Sequence, residues 1–295
     1  MCLLFLALAG CGPRTPASEA SIPLGLETRF YAPQGWAWGR VGIEGGPSLR
    51  YGAASPTVAP KAQVLILPDQ GEPAEAWFET ARSLLARRYG VWVLDWSGLG
   101  GPTGRFGVAA RGHGFPEVAA PVVRLMAGQV IRAEQPLIVL ASGSGADPAL
   151  RALVLHLPVD AVILSSPRKA DSAVQTSHDP KRQRVIELWG RADTRLKPDD
   201  RFNLHDRWMR WRKPAQAPVL ERVAAPVTIL ASGLEESCAG LPKCRLVRLG
   251  RAREPLHLER DALRDVWLKD VAEVIEARTA GRSVATPPTP VSKTP

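Results

Sequence analysis

The residues with the clearest chemical implication are a run of small residues that follows an apolar stretch. Residues 136–141 (PLIVLA) are typical of a buried strand, and residues 147–156 are typical of a helix. A strand, a tight turn and a helix in this order form a corner that can hold a serine hydroxyl ready to attack an ester carbonyl. When the strand is counted in, the corner position falls on Gly143, between Ser142 and Ser144. Glycine carries no nucleophile.

The segments around this corner alternate between strand and helix patterns. Alternation of this kind predicts βαβ units, and therefore an α/β fold with a mostly parallel central sheet flanked by helices. Residues 35–51 predict an antiparallel hairpin that precedes the sheet. The predicted strands are residues 62–67, 91–96, 136–141, 161–165, 227–231 and 245–249, and the predicted helices are residues 73–89, 116–133, 147–156 and 258–278.

Two segments depart from this alternation. Residues 168–223 are basic and rich in tryptophan, and they predict a helical lid inserted after the sixth strand, with one short helix capped at Asp179 and another at residues 206–212. Residues 280–295 contain many threonines and prolines and too little apolar content to pack, which predicts a disordered tail. The folded domain is therefore expected to span residues 35–279.

The N-terminus predicts export. Residues 1–10 are mostly apolar, and the sequence Leu8-Ala9-Gly10-Cys11 resembles the lipobox of bacterial lipoproteins, in which the signal peptide is removed and the cysteine is acylated. Residues 11–34 would then be a lipidated tether, and the protein would face the periplasm, with the outer membrane slightly favoured. The alternative is a buried N-terminal strand. No Lys or Arg precedes the apolar run, which leaves open a start codon further upstream.

The charge and the cysteine content are consistent with an exported protein. The formal net charge is +9 and the isoelectric point is about 9.8, which for an exported protein favours anionic lipid or envelope polymers over nucleic acid. Cys238 and Cys244 lie in one loop and predict a disulfide, with two free thiols as the alternative. The histidines lack metal-ligand spacing and no dinucleotide-binding motif is visible, so neither a metal nor a cofactor is expected.

Several short motifs resemble the lysophospholipase and monoacylglycerol lipase branch of the α/β-hydrolases, also called the serine aminopeptidase-like group. The resemblance covers about residues 40–275 and implies the α/β-hydrolase fold and chemistry on carboxylic esters. The motifs that carry it are DWSGLG at residues 95–100, GH at residues 112–113, SSP at residues 165–167, APVTIL at residues 225–230 and ERDALRD at residues 259–265.

The same resemblance implies a degenerate catalytic triad. The family's serine position corresponds to Gly143, its histidine position to Glu254, and its acid position to Glu235. Its oxyanion turn corresponds to the segment that contains Asp69 and Gln70, where a carboxylate would repel the charge that an oxyanion hole must stabilise. Glycine at the corner also removes the strain that a residue with a Cβ would experience there.

These residues lead to two functional hypotheses, beside a third in which the chain is a purely structural lipoprotein with a collapsed pocket. In the first, the chain is a lipid-anchored, catalytically inactive homologue whose pocket, lined by Gln70, Ser142 and Ser144, binds a partner or a lipid-like ligand such as an acyl chain or a lysolipid with an anionic head group. In the alternative, the chain is an active lysophospholipase or carboxylesterase with a shifted triad of Ser144, His257 and Glu235, which requires a change of register at the corner.

Overall fold

The computed structural model describes residues 25–42, 48–69, 72–95, 115–131, 134–167, 177–191, 218–234, 236–250 and 252–280. The predicted signal peptide, the tether up to residue 24, the second lid helix and the C-terminal tail lie outside these residues. Gln70, Glu235 and Cys11 lie outside them as well.

The described strands form one eight-stranded sheet in the order β1-β2-β4-β3-β5-β6-β7-β8. Strand β2 is antiparallel to β1 and to β4, and the remaining neighbours are parallel. The predicted α/β class and mostly parallel sheet are therefore confirmed. The strands are β1 (Ala37–Gly42), β2 (Ser48–Ala54), β3 (Ala62–Leu67), β4 (Tyr89–Asp95), β5 (Leu137–Ser142), β6 (Ala161–Ser165), β7 (Val227–Ala231) and β8 (Cys244–Arg248).

Five α-helices accompany the strands in the described part of the chain. They are α1 (Phe78–Ala86), α2 (Phe115–Leu125), α3 (Ala146–Val154), α4 (Pro180–Arg191) and α5 (Asp261–Thr279). A short 3₁₀ turn, Ala74–Trp77, precedes α1, and α2 continues into a wider π-helical turn, Met126–Val130, so both helices differ at one end from the prediction. The last helix starts three residues later than predicted because Leu256–Leu258 forms a separate 3₁₀ turn.

Burial on both faces explains why the central strands are continuously apolar. Every residue of β3 is buried, and alternate side chains point to opposite faces of a sheet. Val64 and Ile66 accordingly pack in one core layer together with Trp77 and Trp267, whereas Leu65 and Leu67 pack in the other layer, which includes residues of α2 and α3. The two layers hold the parallel strands in register, so that their carboxyl ends meet at one edge of the sheet.

The segment that follows β6 is attached to the body of the domain through a buried arginine. Arg182, in α4, is completely buried and contacts the carboxylates of Glu79, Asp179 and Asp261. Its Nε and Nη2 atoms lie 2.9 Å and 2.8 Å from the two carboxylate oxygens of Glu79. We call these four residues the clasp. As predicted, Asp179 caps the helix, accepting hydrogen bonds from the N–H groups of Lys181 and Arg182.

Candidate functional site

The predicted corner is present at the carboxyl end of β5. The strand ends at Ser142, a 3₁₀ turn covers Gly143–Gly145, and α3 begins at Ala146. Gly143 has a φ of +52°, in the left-handed region that only glycine adopts without strain. The structure therefore places Gly143 at the corner position, and a side chain there would be strained by the backbone alone.

A carboxylate occupies the space in front of Gly143. A Cβ atom added to Gly143 would lie 2.6 Å from Cγ of Asp69 and within 3 Å of both of its carboxylate oxygens. Asp69 follows β3, the neighbour of β5 in the sheet, and it is only 4% exposed. The side chain of Asp69 thus fills the region where a nucleophilic side chain on the corner would begin.

The same carboxylate binds the residue after the corner. Oδ1 of Asp69 accepts a hydrogen bond of 2.9 Å from the N–H of Ser144 and one of 2.5 Å from its hydroxyl. In the strand-turn-helix geometry of a nucleophile elbow, the N–H of the residue after the nucleophile is one of the two donors that stabilise the oxyanion. In this protein that donor is engaged by an internal carboxylate.

The turn that carries Asp69 is braced by a second buried carboxylate. Oε2 of Glu72 accepts hydrogen bonds from the N–H of Asp69 at 3.1 Å and from the indole of Trp77 at 3.0 Å. Oε1 of Glu72 lies 3.0 Å from Nε2 of His257. The ring of His257 stacks on Trp77 with 3.7 Å between the ring centroids. These contacts join the turn after β3 to the turn before α5.

His257 is therefore placed differently from its role in the alternative triad. The Leu256–Leu258 turn buries its side chain completely, and its described neighbours are Glu72, Trp77 and Trp267. The Ser144 hydroxyl donates to Asp69, and the imidazole lies beside Glu72, so the structure does not bring Ser144 and His257 together as a hydrogen-bonded pair. Glu235, the third member, is not among the described residues.

Glu254, for which the sequence resemblance predicted the family's histidine position, is hydrogen-bonded to a chain of hydroxyl groups. Oε1 of Glu254 accepts a hydrogen bond of 2.8 Å from the hydroxyl of Ser232, which in turn accepts one of 2.9 Å from the hydroxyl of Ser166. Ser166 and Ser232 directly follow β6 and β7, at the same edge of the sheet as the corner. Ser142, predicted to line the pocket, is buried as the last residue of β5 and lies opposite Ser165.

The remaining predictions about the site concern cysteines and metals. The structure contains a disulfide between Cys238 and Cys244, whose Cα atoms are 5.5 Å apart. Within the described ranges, no group of three or more His, Cys, Asp or Glu side chains could hold a metal ion. None of the helices described is long and apolar enough to cross a membrane.

The bracing contacts around Asp69 were missed by sequence reasoning. The sequence predicts only that Asp69 is unfavourable to an oxyanion, and it predicts no role for Glu72. The available signal was modest: two acidic residues, Asp69 and Glu72, stand between a fully buried strand and an apolar helix, where each needs a partner. The identity of the partners, Ser144 and His257, depends on chain segments that are 75 and 185 residues away.

Attack on an ester at a corner of this kind has three requirements. Acyl transfer in this arrangement requires a side-chain oxygen at the corner, a base within hydrogen-bonding distance of it, and donors aimed at the developing negative charge. Gly143 has no side-chain oxygen, and the Ser144 N–H faces a carboxylate.

Comparison with known proteins identifies the fold. No protein-family model and no curated protein matches the chain. Among solved structures, the chain is similar to a monoglyceride lipase from Saccharomyces cerevisiae in complex with a substrate analogue, with a TM-score of 0.56 and 15% identity over 82% of this chain and 94% of the lipase. It is also similar to a membrane phospholipase A described as a bacterial virulence factor, with a TM-score of 0.56 and 16% identity over 82% and 87% of the two chains.

A third similar structure is a thermostable carboxyl esterase from Bacillus coagulans in complex with glycerol, with a TM-score of 0.52 and 11% identity over 84% of this chain and all of the esterase. These TM-scores establish a shared fold. Because the identities are so low, the activity of this chain must be argued from its own residues.

Proposed function

We propose that this chain, which has the α/β-hydrolase fold, is a lipid-anchored protein of the bacterial cell envelope that binds a lipid-like ligand and does not hydrolyse esters at its corner. One observation carries the proposal. Gly143 stands at the corner, and the carboxylate of Asp69 takes both the space of a nucleophile and the N–H of Ser144. A corner in this state supplies neither attack nor charge stabilisation.

The class of ligand is inferred from the fold neighbours. A monoglyceride lipase, a phospholipase A and a carboxyl esterase are all named for ester substrates, two of them lipids. Sites in folds of this type form outside the carboxyl ends of the parallel strands, which is where Asp69, Ser144, Ser232 and Glu254 lie. We therefore propose an acyl chain or a lysolipid as the ligand, with a protein partner in the envelope as the other possible occupant.

The absence of ester chemistry is tested with a fluorophosphonate probe and a p-nitrophenyl ester. We expect no labelling of the purified protein and no turnover above that of Ser144→Ala. The matched control is Ser83→Ala, which removes a hydroxyl on α1, far from the corner in the sequence. Labelling and turnover that persist in Ser83→Ala and disappear in Ser144→Ala would refute the proposal.

Such an outcome would instead support an active serine hydrolase. One observation favours this second candidate. The Ser144 hydroxyl lies 2.5 Å from a carboxylate oxygen of Asp69, which could accept the hydroxyl proton as a base. The triad of Ser144, His257 and Glu235 belongs to the same candidate and predicts that His257→Ala also abolishes labelling.

Anchoring is tested separately at Cys11. We expect metabolic palmitate labelling of the protein and recovery in the membrane fraction, and we expect Cys11→Ser to remove both. Cys2→Ser is the matched control, because Cys2 lies inside the proposed signal peptide and would be cleaved off. Labelling that survives Cys11→Ser would refute the anchor without affecting the proposed ligand binding.

A further inference from the structure

We infer that Asp69 is a specificity-determining residue: it excludes carboxylate and phosphate groups from the corner and selects lipids that present an uncharged ester or hydroxyl group there. This inference rests on the proposed lipid binding. It narrows the ligand predicted from the sequence, since an anionic head group would have to lie away from the corner.

The hydrogen-bond donors that an anion would need at the corner are already in use. An anion bound at the corner would use the Ser144 N–H, as an oxyanion does in a working elbow. The N–H and the hydroxyl of Ser144 both donate to Oδ1 of Asp69, at 2.9 Å and 2.5 Å. The anion position is therefore already occupied by a carboxylate that belongs to the protein.

The turn that carries Asp69 is fixed at several points. A ligand anion could displace the Asp69 carboxylate only if this turn moved. The N–H of Asp69 donates to Glu72, the N–H of Glu72 donates back to the carbonyl oxygen of Asp69, and Glu72 is itself held by Trp77 and lies beside His257. Moving Asp69 would break a buried network, in which unsatisfied groups are costly.

A ligand at this edge of the sheet would meet the Asp69 carboxylate, because the side chain of Asp69 fills the space directly in front of Gly143. A carboxylate or phosphate that approached it would be repelled, and the repulsion is strong where solvent is excluded, as it is around Asp69, which is only 4% exposed. An uncharged ester or hydroxyl group does not experience this repulsion.

Two ligands with the same acyl chain test the inference. Monoolein is neutral and oleate is anionic, and binding of each below its aggregation concentration is measured by isothermal titration calorimetry. We expect the wild-type protein to bind monoolein more tightly than oleate by about tenfold or more. In Asp69→Asn, which removes the charge and keeps the acceptor oxygen, we expect this preference to fall to about threefold or less through tighter oleate binding. Asp265→Asn, an exposed site on α5, should keep the wild-type preference.

The outcomes separate the two proposals. Equal affinity for both ligands in the wild type, or an unchanged preference in Asp69→Asn, would overturn the inference and leave the proposed lipid binding intact. Failure of the wild type and of both variants to bind either ligand would refute the proposed function and the inference with it. If Asp69→Asn does not fold, the same comparison is made between the wild type and Asp69→Ser, and an unchanged preference for monoolein in Asp69→Ser would overturn the inference.

Discussion

The corner and the clasp are two buried sites that contain carboxylates. The described partners of these carboxylates differ in charge. At the clasp, the guanidinium group of Arg182 is completely buried and faces three carboxylates, including both oxygens of Glu79. At the corner, Asp69 accepts hydrogen bonds from two neutral donors, the N–H and the hydroxyl of Ser144. The clasp joins α1, α4 and the start of α5, whereas the corner lies at the edge of the sheet where ligands bind in folds of this type.

Because of this difference, we expect the clasp to contribute to the stability of the fold and the corner to contribute to ligand preference. A buried ion pair contributes mostly through the large cost of breaking it, because removal of one partner leaves a charge without compensation. A carboxylate held by neutral donors can lose its charge while an isosteric group keeps the same contacts. We therefore expect changes at the clasp to alter the free energy of unfolding, and charge changes at the corner to alter ligand preference instead.

The largest loss of stability is expected from Arg182→Met. This substitution keeps an unbranched side chain but leaves the buried carboxylate of Glu79 without its main partner, which should lower the free energy of unfolding by about 3–5 kcal/mol. Urea denaturation measures the change. The control is Arg245→Met, because the Arg245 side chain is 61% exposed and its carboxylate contact is 4.0 Å long, so it should change stability by no more than about 0.5 kcal/mol. Equal losses at both sites would refute the role of the clasp.

The next largest effect is expected from Gly143→Ala. A φ of +52° is strained for alanine, by about 1–3 kcal/mol, and the new Cβ would also collide with Asp69. Gly35→Ala isolates the strain, because Gly35 has a φ of +76° and open space around its Cβ position. The free energy lost at Gly143 should exceed the loss at Gly35. The double variant Gly143→Ala, Asp69→Ala should recover part of the excess, by about 0.5 kcal/mol or more.

If Gly143→Ala costs no more than Gly35→Ala, Asp69 does not fill the corner in solution, and the contrast between the two sites loses its basis.

A smaller, pH-dependent effect is expected beside the clasp at Glu259, whose main-chain carbonyl oxygen accepts a hydrogen bond from Arg182. Burial tends to raise the pKa of its carboxyl group, but hydrogen bonds from the N–H groups of Arg260 and Arg253 and from His178 outweigh burial and lower the pKa. A folded-state pKa below the ordinary value of about 4.3 adds stability that is complete above that value and is lost as the pH falls through the lowered pKa.

Denaturation between about pH 6 and about pH 3 measures this contribution. Glu259→Gln should weaken the loss of stability in acid, whereas Glu273→Gln, an exposed position on α5, should not. If the free energy of unfolding falls with pH in Glu259→Gln as it does in the wild type, other carboxylates control the loss of stability in acid.

The smallest effect on stability is expected from Asp69→Asn. The amide oxygen can still accept hydrogen bonds from the N–H and hydroxyl of Ser144, so the free energy of unfolding should change by no more than about 1 kcal/mol. Thermal unfolding and urea denaturation measure this. A loss as large as that of Arg182→Met would mean that the Asp69 charge serves stability, as at the clasp, and the contrast between the two sites would not hold.

The fold could be predicted from the sequence because its signals are local. Alternating strand and helix patterns, continuous apolar strands and the run of small residues at the corner each involve neighbouring positions, and the burial of both faces of β3 follows directly from its composition. The glycine at the corner was also visible, because the length of β5 sets where the turn begins. Helix ends were less well predicted, since the 3₁₀ turn at Leu256–Leu258 resembles a helix start in sequence.

The state of the corner and the clasp was decided only by the tertiary structure. Asp69 meets Ser144 across 75 residues, and Arg182 meets Glu79 across 103 residues. Nothing in the local sequence distinguishes a carboxylate that turns to a backbone N–H from one that turns to solvent. By itself the sequence determined that a glycine stands at the corner, because short local patterns set where a strand ends and a turn begins. Packing of distant segments in a solvent-poor interior determined which side chain lies in front of that glycine, since a buried carboxylate must find its donors wherever the fold brings them.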